Sequence, residues 1–265
     1  SRESRAAPRP RLAVNAPAPT GAGAWTVTNY RGRPVSLLGG PAVVLLALAG
    51  APSSAAVVAG LGAVAAGRYD DVAGARPEQR ADKGFAGHLS ALRAGRVSAG
   101  AVKVAGIGAT ALLARVLDRA RERTTYGWRG AVVVLRDAAL VAASANLVNL
   151  LDLRPGRALK VVTLVGGLGA ATAGPAGRRR FGATALAALV ALPADVGERT
   201  MLGDAGANGL GALLGVAAVQ TTRPAARTIL LVGVLALTVA SEQVSFSAVI
   251  DRTPPLAWLD RLGRG

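Results

Sequence analysis

The sequence is poor in the side chains that build disulfides, soft-metal centres and soluble cores. It contains no cysteine and a single histidine, which excludes disulfides, thiolate metal sites and histidine-rich metal sites. Aromatic residues make up only 3% of the chain, although a soluble core of this size usually relies on them for packing. Among metal sites, a hard cation held by oxygen ligands remains available.

Small and aliphatic residues take the place of the missing aromatic residues. Hydrophobic residues make up 51% of the chain, the mean hydropathy is +0.39, and 34 glycines allow close helix approach in lipid. The pattern predicts an all-α, polytopic transmembrane helical bundle with about seven spans, or eight if a pair split by a polar turn is counted separately. The predicted apolar segments are 35–50, 53–67, 98–117, 130–151, 158–175, 181–197 with 205–220, and 226–247.

The N-terminal part of the sequence has a different composition. Residues 1–34 are rich in proline, arginine and alanine and contain no continuous apolar run, which excludes a signal peptide or a membrane helix within them. We therefore predict a flexible cytoplasmic arm over 1–34, a membrane-embedded domain over 35–265, and a further helix upstream of the arm.

The net charge of +16 raises the alternative of a nucleic-acid-binding protein. The arginines lie mostly between the apolar segments, and neither a basic helix nor interleaved stacking aromatics accompany them. We therefore expect no nucleic-acid partner. Anionic lipid headgroups and substrate phosphates are the expected partners of this charge.

Short polar stretches end three of the apolar segments. Carboxylates and amides are costly at the rim of a hydrocarbon layer, so these stretches indicate a site at the membrane face. Alternation of the spans brings all of them to one side, which the excess of lysine and arginine assigns to the cytoplasm. The stretches are Tyr69-Asp70-Asp71, Asn146-Leu-Val-Asn149-Leu-Leu-Asp152 and Gly203-Asp204-Ala-Gly-Ala-Asn208.

The first stretch has two chemical interpretations. Adjacent carboxylates such as Asp70 and Asp71 repel each other, which suits a general base or a Mg²⁺ site, but the same pair also ends an ordinary solvated helix. A glycine-containing loop follows, with Lys83, His88 and Lys103 spaced along it. Such a loop is suited to phosphate contacts, although His88 alone also fits a role in ordering the loop.

The other two stretches also have structural alternatives. Asn146, Asn149 and Asp152 recur at helical spacing on one face, which predicts either a polar seam towards a site or interhelical hydrogen bonds. Asp204 opens an apolar helix and fits an N-cap as well as a ligand position. A small transporter would also have polar residues among its helices, but near mid-membrane rather than on one face.

Taken in order, these motifs resemble those of the polyprenyl-phosphate N-acetylhexosamine-1-phosphate transferases, which include the phospho-N-acetylmuramoyl-pentapeptide translocases. The resemblance covers roughly residues 29–262. Asp70-Asp71 is similar to the aspartate pair of that family. Asn146 to Asp152 resembles the start of its Asn-x-x-Asn-x-x-Asp-Gly-x-Asp-Gly motif, and Gly203 to Asn208 resembles its Gly-Asp-x-Gly-Ser/Asn motif.

The chain departs from the family pattern at three places. Pro155 stands where the second motif has its second aspartate, and Met201 stands where the third motif is preceded by an aromatic residue. The histidine-rich motif near the C-terminus is absent, and Ser241 to Ser247 occupies the comparable stretch. These departures make the muramoyl-pentapeptide substrate the least favoured of the family's substrates.

The resemblance implies transfer of a sugar-1-phosphate from a UDP-sugar to a polyprenyl-phosphate lipid in cell-envelope glycan synthesis. It implies a multi-pass protein of the bacterial cytoplasmic membrane, with its site facing the cytoplasm. A homodimer is one of the oligomeric states compatible with it. The alternative is a family member without turnover that acts as a membrane scaffold or lipid-carrier-binding protein.

The resemblance also implies roles for the polar residues. Asp204 would bind Mg²⁺, with Mn²⁺ as the other candidate, and Asp70 and Asp71 would supply the base and a second charged group in either order. Asp152 joins them as a catalytic residue. The expected substrate-binding residues are Asn146, Asn149, Lys83, His88, Lys103 and Asn208.

Overall fold

The computed structural model describes residues 25–29, 31–74, 76, 84–121 and 127–264. These residues form a helical bundle and one antiparallel hairpin of two short strands, β1 (Thr26–Thr28) and β2 (Pro34–Ser36). The helices are α1 (Gly39–Gly50), α2 (Ser54–Ala73), α3 (Gly84–Arg93), α4 (Ala99–Arg121), α5 (Trp128–Leu151), α6 (Arg157–Thr172), α7 (Pro175–Val196), α8 (Gly203–Thr221), α9 (Pro224–Gln243), α10 (Phe246–Arg252) and α11 (Pro254–Arg261).

Three of the described helices are long and apolar enough to cross a membrane. They are α4 over Ala99–Ala120, α5 over Trp128–Leu151 and α9 over Pro224–Gln243. The predicted nearly all-α fold and its membrane character are confirmed to this extent. The predicted seven to eight crossings are not confirmed. One reason is that α1 and α6 have only 12 and 16 residues, which is fewer than a straight bilayer crossing needs.

Helix α8 forms the centre of the bundle. It packs against α1, α2, α5, α6 and α7, and nearly all of its residues are buried. Its glycines make this packing close: a Cβ atom at Gly206 would collide with the backbone of Gly40 in α1, and one at Gly211 with the backbone at Ser144 in α5. Small residues thus bring the neighbouring helices into backbone contact with α8.

The helices alternate in direction, so their polar ends collect at two places. At the carboxylate end, defined by Asp71, Asp152 and Asp204, helices α2 and α5 end and α8 begins. At the arginine end, Arg115 of α4, Arg136 of α5 and Arg227 of α9 all donate hydrogen bonds to the fully buried carboxylate of Asp137, at 2.6–2.9 Å. The three polar stretches found in the sequence therefore lie at one end of the bundle.

The β1–β2 hairpin is joined to the carboxylate end. The backbone N–H of Met201 donates to the carbonyl of Ser36 at 2.9 Å, and the side-chain amide of Asn29 donates to the Glu198 carboxylate at 2.6 Å. The predicted boundary at residue 34 therefore falls within β2, because the second strand continues directly into the membrane domain's first turn.

The segment after the aspartate pair differs from the prediction of a glycine loop. Residues 84–93 form helix α3, so the glycines at 84 and 87 do not provide a phosphate-binding turn within the described residues. The prediction was wrong here because the glycines, together with the spaced cations and hydroxyl groups, were taken to indicate turns in a segment that is short but helical.

Candidate functional site

A cavity of about 600 Å³ opens at the carboxylate end. All three polar stretches of the sequence contribute to its wall, together with the β1–β2 hairpin and the end of α7. Its volume lies within the usual range for small-molecule sites. The charged side chains that line it are Asp71, Asp152, Arg154, Asp195, Glu198 and Asp204.

The first and third stretches meet through Asp71. Its two carboxylate oxygens accept hydrogen bonds from the backbone N–H groups of Asp204 at 2.9 Å and Ala205 at 3.3 Å, so this side chain of α2 caps the first turn of α8. Gly203, at φ +59°, turns the chain into that helix, and a Cβ atom there would collide with Leu37. Burial raises the pKa of Asp71 despite these hydrogen bonds.

Lys103 of α4 joins the aspartates of two different stretches. Its Nζ lies 2.6 Å from Oδ2 of Asp70 and 2.5 Å from Oδ2 of Asp204. Its side chain is 13% exposed, so this shared ion pair is largely shielded from water. The sequence predicted Lys103 as a phosphate contact; in the structure it is the counter-ion of two carboxylates.

The two carboxylates that share Lys103 titrate differently. Burial raises the pKa of Asp204 to about 7, and its hydrogen bond with Asp70 adds to this effect while Lys103 opposes it. Burial acts in the same direction on Asp70, but the hydrogen bonds from Asp204 and Lys103 outweigh it and hold its pKa below the ordinary value. The pair therefore takes up its first proton near neutral pH.

Asp152 ends α5 and begins the loop that continues to Gly156. Burial, reinforced by the negative charges of Asp195, Asp204 and Asp71, raises the pKa of Asp152 well above its ordinary value. Gly156, at φ +75°, then donates its backbone N–H to Asp195 at 2.6 Å, which fixes the start of α6 against the end of α7. Asp152 is thus held among other acids, where a cation would be attracted.

The predicted asparagines lie beside the cavity rather than in its lining. Asn146 and Asn149 are half-buried on α5, and neither is among the residues that line the cavity. Asn208 is 1% exposed and donates to the carbonyl of Asp204 at 2.7 Å, within the first turns of α8. Its contact in the structure is therefore one that shapes the helix carrying Asp204.

The two remaining predicted phosphate contacts lie apart from the cavity or outside the described residues. His88 lies on α3, where its Nδ1 is 2.8 Å from Oγ of Ser98 at the start of α4. This contact orders the junction between two helices, which matches the structural alternative given for this residue. Lys83 lies outside the described residues.

Two acids of the cavity were missed in the sequence. Asp195 is 4% exposed near the end of α7, and Glu198 has the left-handed backbone conformation, with φ +53°, in the turn that follows. Glu198 also forms a 3.1 Å ion pair with Arg31. Their proximity to Asp204 in the sequence was the available signal. Asp195 stands near the end of an apolar helix, however, and Glu198 follows it as an ordinary turn residue would.

The donor chemistry at this end can be compared with what Mg²⁺ requires. The described residues contain no group of three or more acidic or histidine side chains arranged as a ready-made metal site. Mg²⁺, however, is commonly held by one or two carboxylates together with substrate phosphates. Asp70 and Asp204 are two carboxylates of this kind that lie close together, with the Nζ of Lys103 between their Oδ2 atoms.

Comparison with protein-family models, with curated proteins and with solved structures finds no significant match.

Proposed function

We propose that this protein transfers a sugar-1-phosphate from a UDP-sugar to a polyprenyl-phosphate lipid by Mg²⁺-assisted phosphoryl transfer. The observation that carries the proposal is the meeting of three distant motifs in one cavity: Asp71, Asp152 and Asp204 all line it. The order of these motifs is the one that resembles the transferase family. Their position at one end of the bundle, where the membrane-length helix α5 ends, suits a reaction between a soluble nucleotide and a lipid phosphate.

The finer membrane arrangement is part of the same proposal. We propose that seven to eight segments cross the bacterial cytoplasmic membrane and that the carboxylate end faces the cytoplasm. The packing of α2 against the membrane-length helix α4, and of α6 and α8 against the membrane-length helix α5, supports this arrangement. Arginines also lie at the other end of the bundle, so the orientation rests mainly on where the nucleotide substrate is available.

The side chains have distinct roles in this proposal. Asp204 and Asp70 would hold Mg²⁺, which when bound neutralises the charge of the pyrophosphate. Lys103, already between these carboxylates, would remain close enough to bind a phosphate oxygen. Asp71 lines the cavity and has a raised pKa, which suits it to accept the proton of the lipid phosphate.

The reaction would form one bond and break one bond at the same phosphorus atom. An oxygen of the lipid phosphate attacks the β-phosphorus of the UDP-sugar, and UMP leaves with the electron pair of the broken P–O bond. Arg154, which lies in the cavity wall beside Asp152 and is paired with Asp251, would bind the leaving phosphate. Asn146, Asn149 and Lys83 keep their predicted substrate-binding roles as part of the proposal.

A second candidate function has a specific observation in its favour. Pro155 and Met201 both line the cavity, at positions where the resembled motifs have an aspartate and an aromatic residue. A chain that lacks both groups fits a scaffold or lipid-carrier-binding protein without turnover.

Isotope exchange distinguishes these two functions. Purified protein in lipid nanodiscs is incubated with radiolabelled UMP and a panel of UDP-sugars, with polyprenyl phosphate and Mg²⁺ present. The transferase should move label into one UDP-sugar, and Asp204→Asn should abolish this exchange. Glu242→Gln, which removes an exposed carboxylate at the end of α9 that is not part of the cavity lining, is the matched control and should retain it. Absence of exchange with every sugar, combined with binding of the lipid phosphate, would favour the scaffold.

A further inference from the structure

Helices α10 and α11 begin immediately after a helix that faces lipid. None of the α9 residues in its most apolar window is buried within the protein, and that helix is long enough to cross a bilayer. It ends at Gln243, and α10 begins at Phe246. Only two residues separate them, so α10 and α11 must start at the depth where α9 leaves the hydrocarbon layer.

The outer side of this helix pair has the composition of a membrane-interface segment. Its large apolar side chains are exposed: Val249 by 43%, Leu256 by 44% and Trp258 by 63%. Exposed Arg252 and Arg261 accompany them. Tryptophan, aliphatic side chains and arginines together are typical of amphipathic helices that lie in the headgroup region of anionic bilayers.

The inner side of the pair is polar and fixed to the bundle. Asp260, 5% exposed, accepts hydrogen bonds from Nε of Arg157 at 2.8 Å and from Nη2 of the same side chain at 3.1 Å. Lys160 donates to the carbonyls of Leu259 at 3.0 Å and Asp260 at 2.8 Å. These bonds join α11 to the first turn of α6, so the apolar outer side has a fixed orientation.

The same pair also contacts the wall of the cavity. Asp251 of α10 accepts two hydrogen bonds from Arg154, at 3.0 and 2.9 Å, and Arg264 donates to the carbonyl of Pro155 at 2.9 Å. Both Arg154 and Pro155 line the cavity. The depth of α10 and α11 therefore determines the depth of this part of the cavity wall.

We propose that α10 and α11 lie in the lipid headgroup layer, with the exposed side chains of Leu256 and Trp258 within it on the two flanks of α11, and thereby hold the Asp152–Gly156 loop at the membrane surface. The partner of this surface is the bilayer that α9 crosses. The inference goes beyond the proposed function, since it concerns where the cavity wall lies and holds whether or not the protein transfers sugar phosphates.

Depth measurement by spin labelling tests the proposal on the full chain. Because the chain has no cysteine, one introduced cysteine gives a single labelled site. Leu256→Cys is compared with two references in nanodiscs: Arg33→Cys in the exposed hairpin turn and Leu235→Cys at the middle of α9. The ratio of oxygen to nickel-chelate accessibility at position 256 should lie between those of the two references. A ratio equal to that at position 33 would overturn the proposal.

Tryptophan fluorescence gives a second measurement without a label at α11. A Trp25→Phe/Trp128→Phe protein retains Trp258 alone, and a Trp128→Phe/Trp258→Phe protein retains Trp25, whose ring lies 4.2 Å from the guanidinium of Arg68. Lipids brominated near the headgroup should quench Trp258 more strongly than Trp25. Equal quenching, with Trp258 readily quenched by aqueous iodide, would contradict the headgroup position.

Discussion

The carboxylate of Asp71 accepts a 2.9 Å hydrogen bond from the backbone N–H of Asp204, 133 residues further along the chain. This bond joins the end of α2 to the start of α8. The two adjacent aspartates therefore have different contacts. Asp71 accepts hydrogen bonds from the backbone of the third motif, whereas Asp70 forms an ion pair with Lys103. Substitutions at the two positions should therefore have different consequences.

We expect Asp71→Asn to lower both stability and transfer. An asparagine presents one oxygen and one NH₂ group, so it cannot accept both backbone hydrogen bonds at the start of α8, and losing a cap costs about 0.5–2 kcal/mol. Asp70→Asn should reduce transfer by about a hundredfold or more with a smaller effect on stability. Denaturation in detergent and the exchange assay measure the two effects. Transfer at the wild-type rate by both variants would refute the catalytic assignment.

The ion pairs of Lys103 should be energetically coupled. In a double-mutant cycle of Lys103→Gln and Asp70→Asn, the two changes remove the same 2.6 Å contact, so their effects on the free energy of unfolding should be non-additive by about 0.5–3 kcal/mol. A cycle of Lys103→Gln with the distant Asp251→Asn is the control and should be additive. Additivity in both cycles would mean that the shared ion pair contributes nothing to stability.

Stability should fall between acid and neutral pH because of Asp204. Its pKa in the folded protein is raised from the ordinary 3.8 to about 7, so its contribution is complete below the lower value and is lost as the pH rises through the higher one. The melting temperature of wild type minus that of Asp204→Asn should therefore be smaller at pH 8 than at pH 4. A difference independent of pH would contradict the raised pKa.

The arginine end should depend strongly on Asp137. Three arginines donate to this fully buried carboxylate, so Asp137→Asn removes the negative charge that they share and should cost about 3–5 kcal/mol of stability. The exposed pair of Asp251 and Arg154 provides the comparison, since Asp251→Asn should cost at most about 1 kcal/mol. Equal effects in a denaturation experiment would show that burial of the network is unimportant.

Gly67 should tolerate no side chain. A Cβ atom there would collide with the carbonyl of Asp204, so Gly67→Ala should separate α2 from α8, destabilise the protein by about 1–3 kcal/mol and reduce transfer. Gly108→Ala is the control, because a Cβ atom at that position meets no atom within 4 Å. Its effect should stay within about 0.5 kcal/mol. Similar melting temperatures for both variants would contradict the close contact.

The helices and the meeting of the motifs were accessible from the sequence for simple reasons. Long apolar segments predict helices. Two polar stretches that are separated by an even number of helices lie at the same end of the bundle, and two that are separated by an odd number lie at opposite ends. That parity predicted the common position of Asp71, Asp152 and Asp204. It needed only the count of segments and not their exact limits.

Other parts of the site depend on contacts that sequence patterns do not contain. The three-residue strands of the hairpin are too short for a period-two signal. The isolated bridge between Ser36 and Thr200 joins positions that are distant in the chain. Lys103 could be selected as a cation, but its position between Asp70 and Asp204 follows from the packing of α4 against α2. In the sequence Glu198 resembles an ordinary turn residue, and only the structure shows its left-handed backbone conformation.

The hairpin has a practical consequence for protein production. Because Val27, Thr28 and Asn29 form part of the cavity wall, a chain trimmed to begin at α1 would keep its helices and lose that wall. Such trimming is a routine way to remove a proline-rich terminus before crystallisation. A trimmed protein would purify and melt as a helical bundle, yet its failure to bind a nucleotide would reveal nothing about the intact chain. Ligand screens should therefore keep every residue from Trp25 onward.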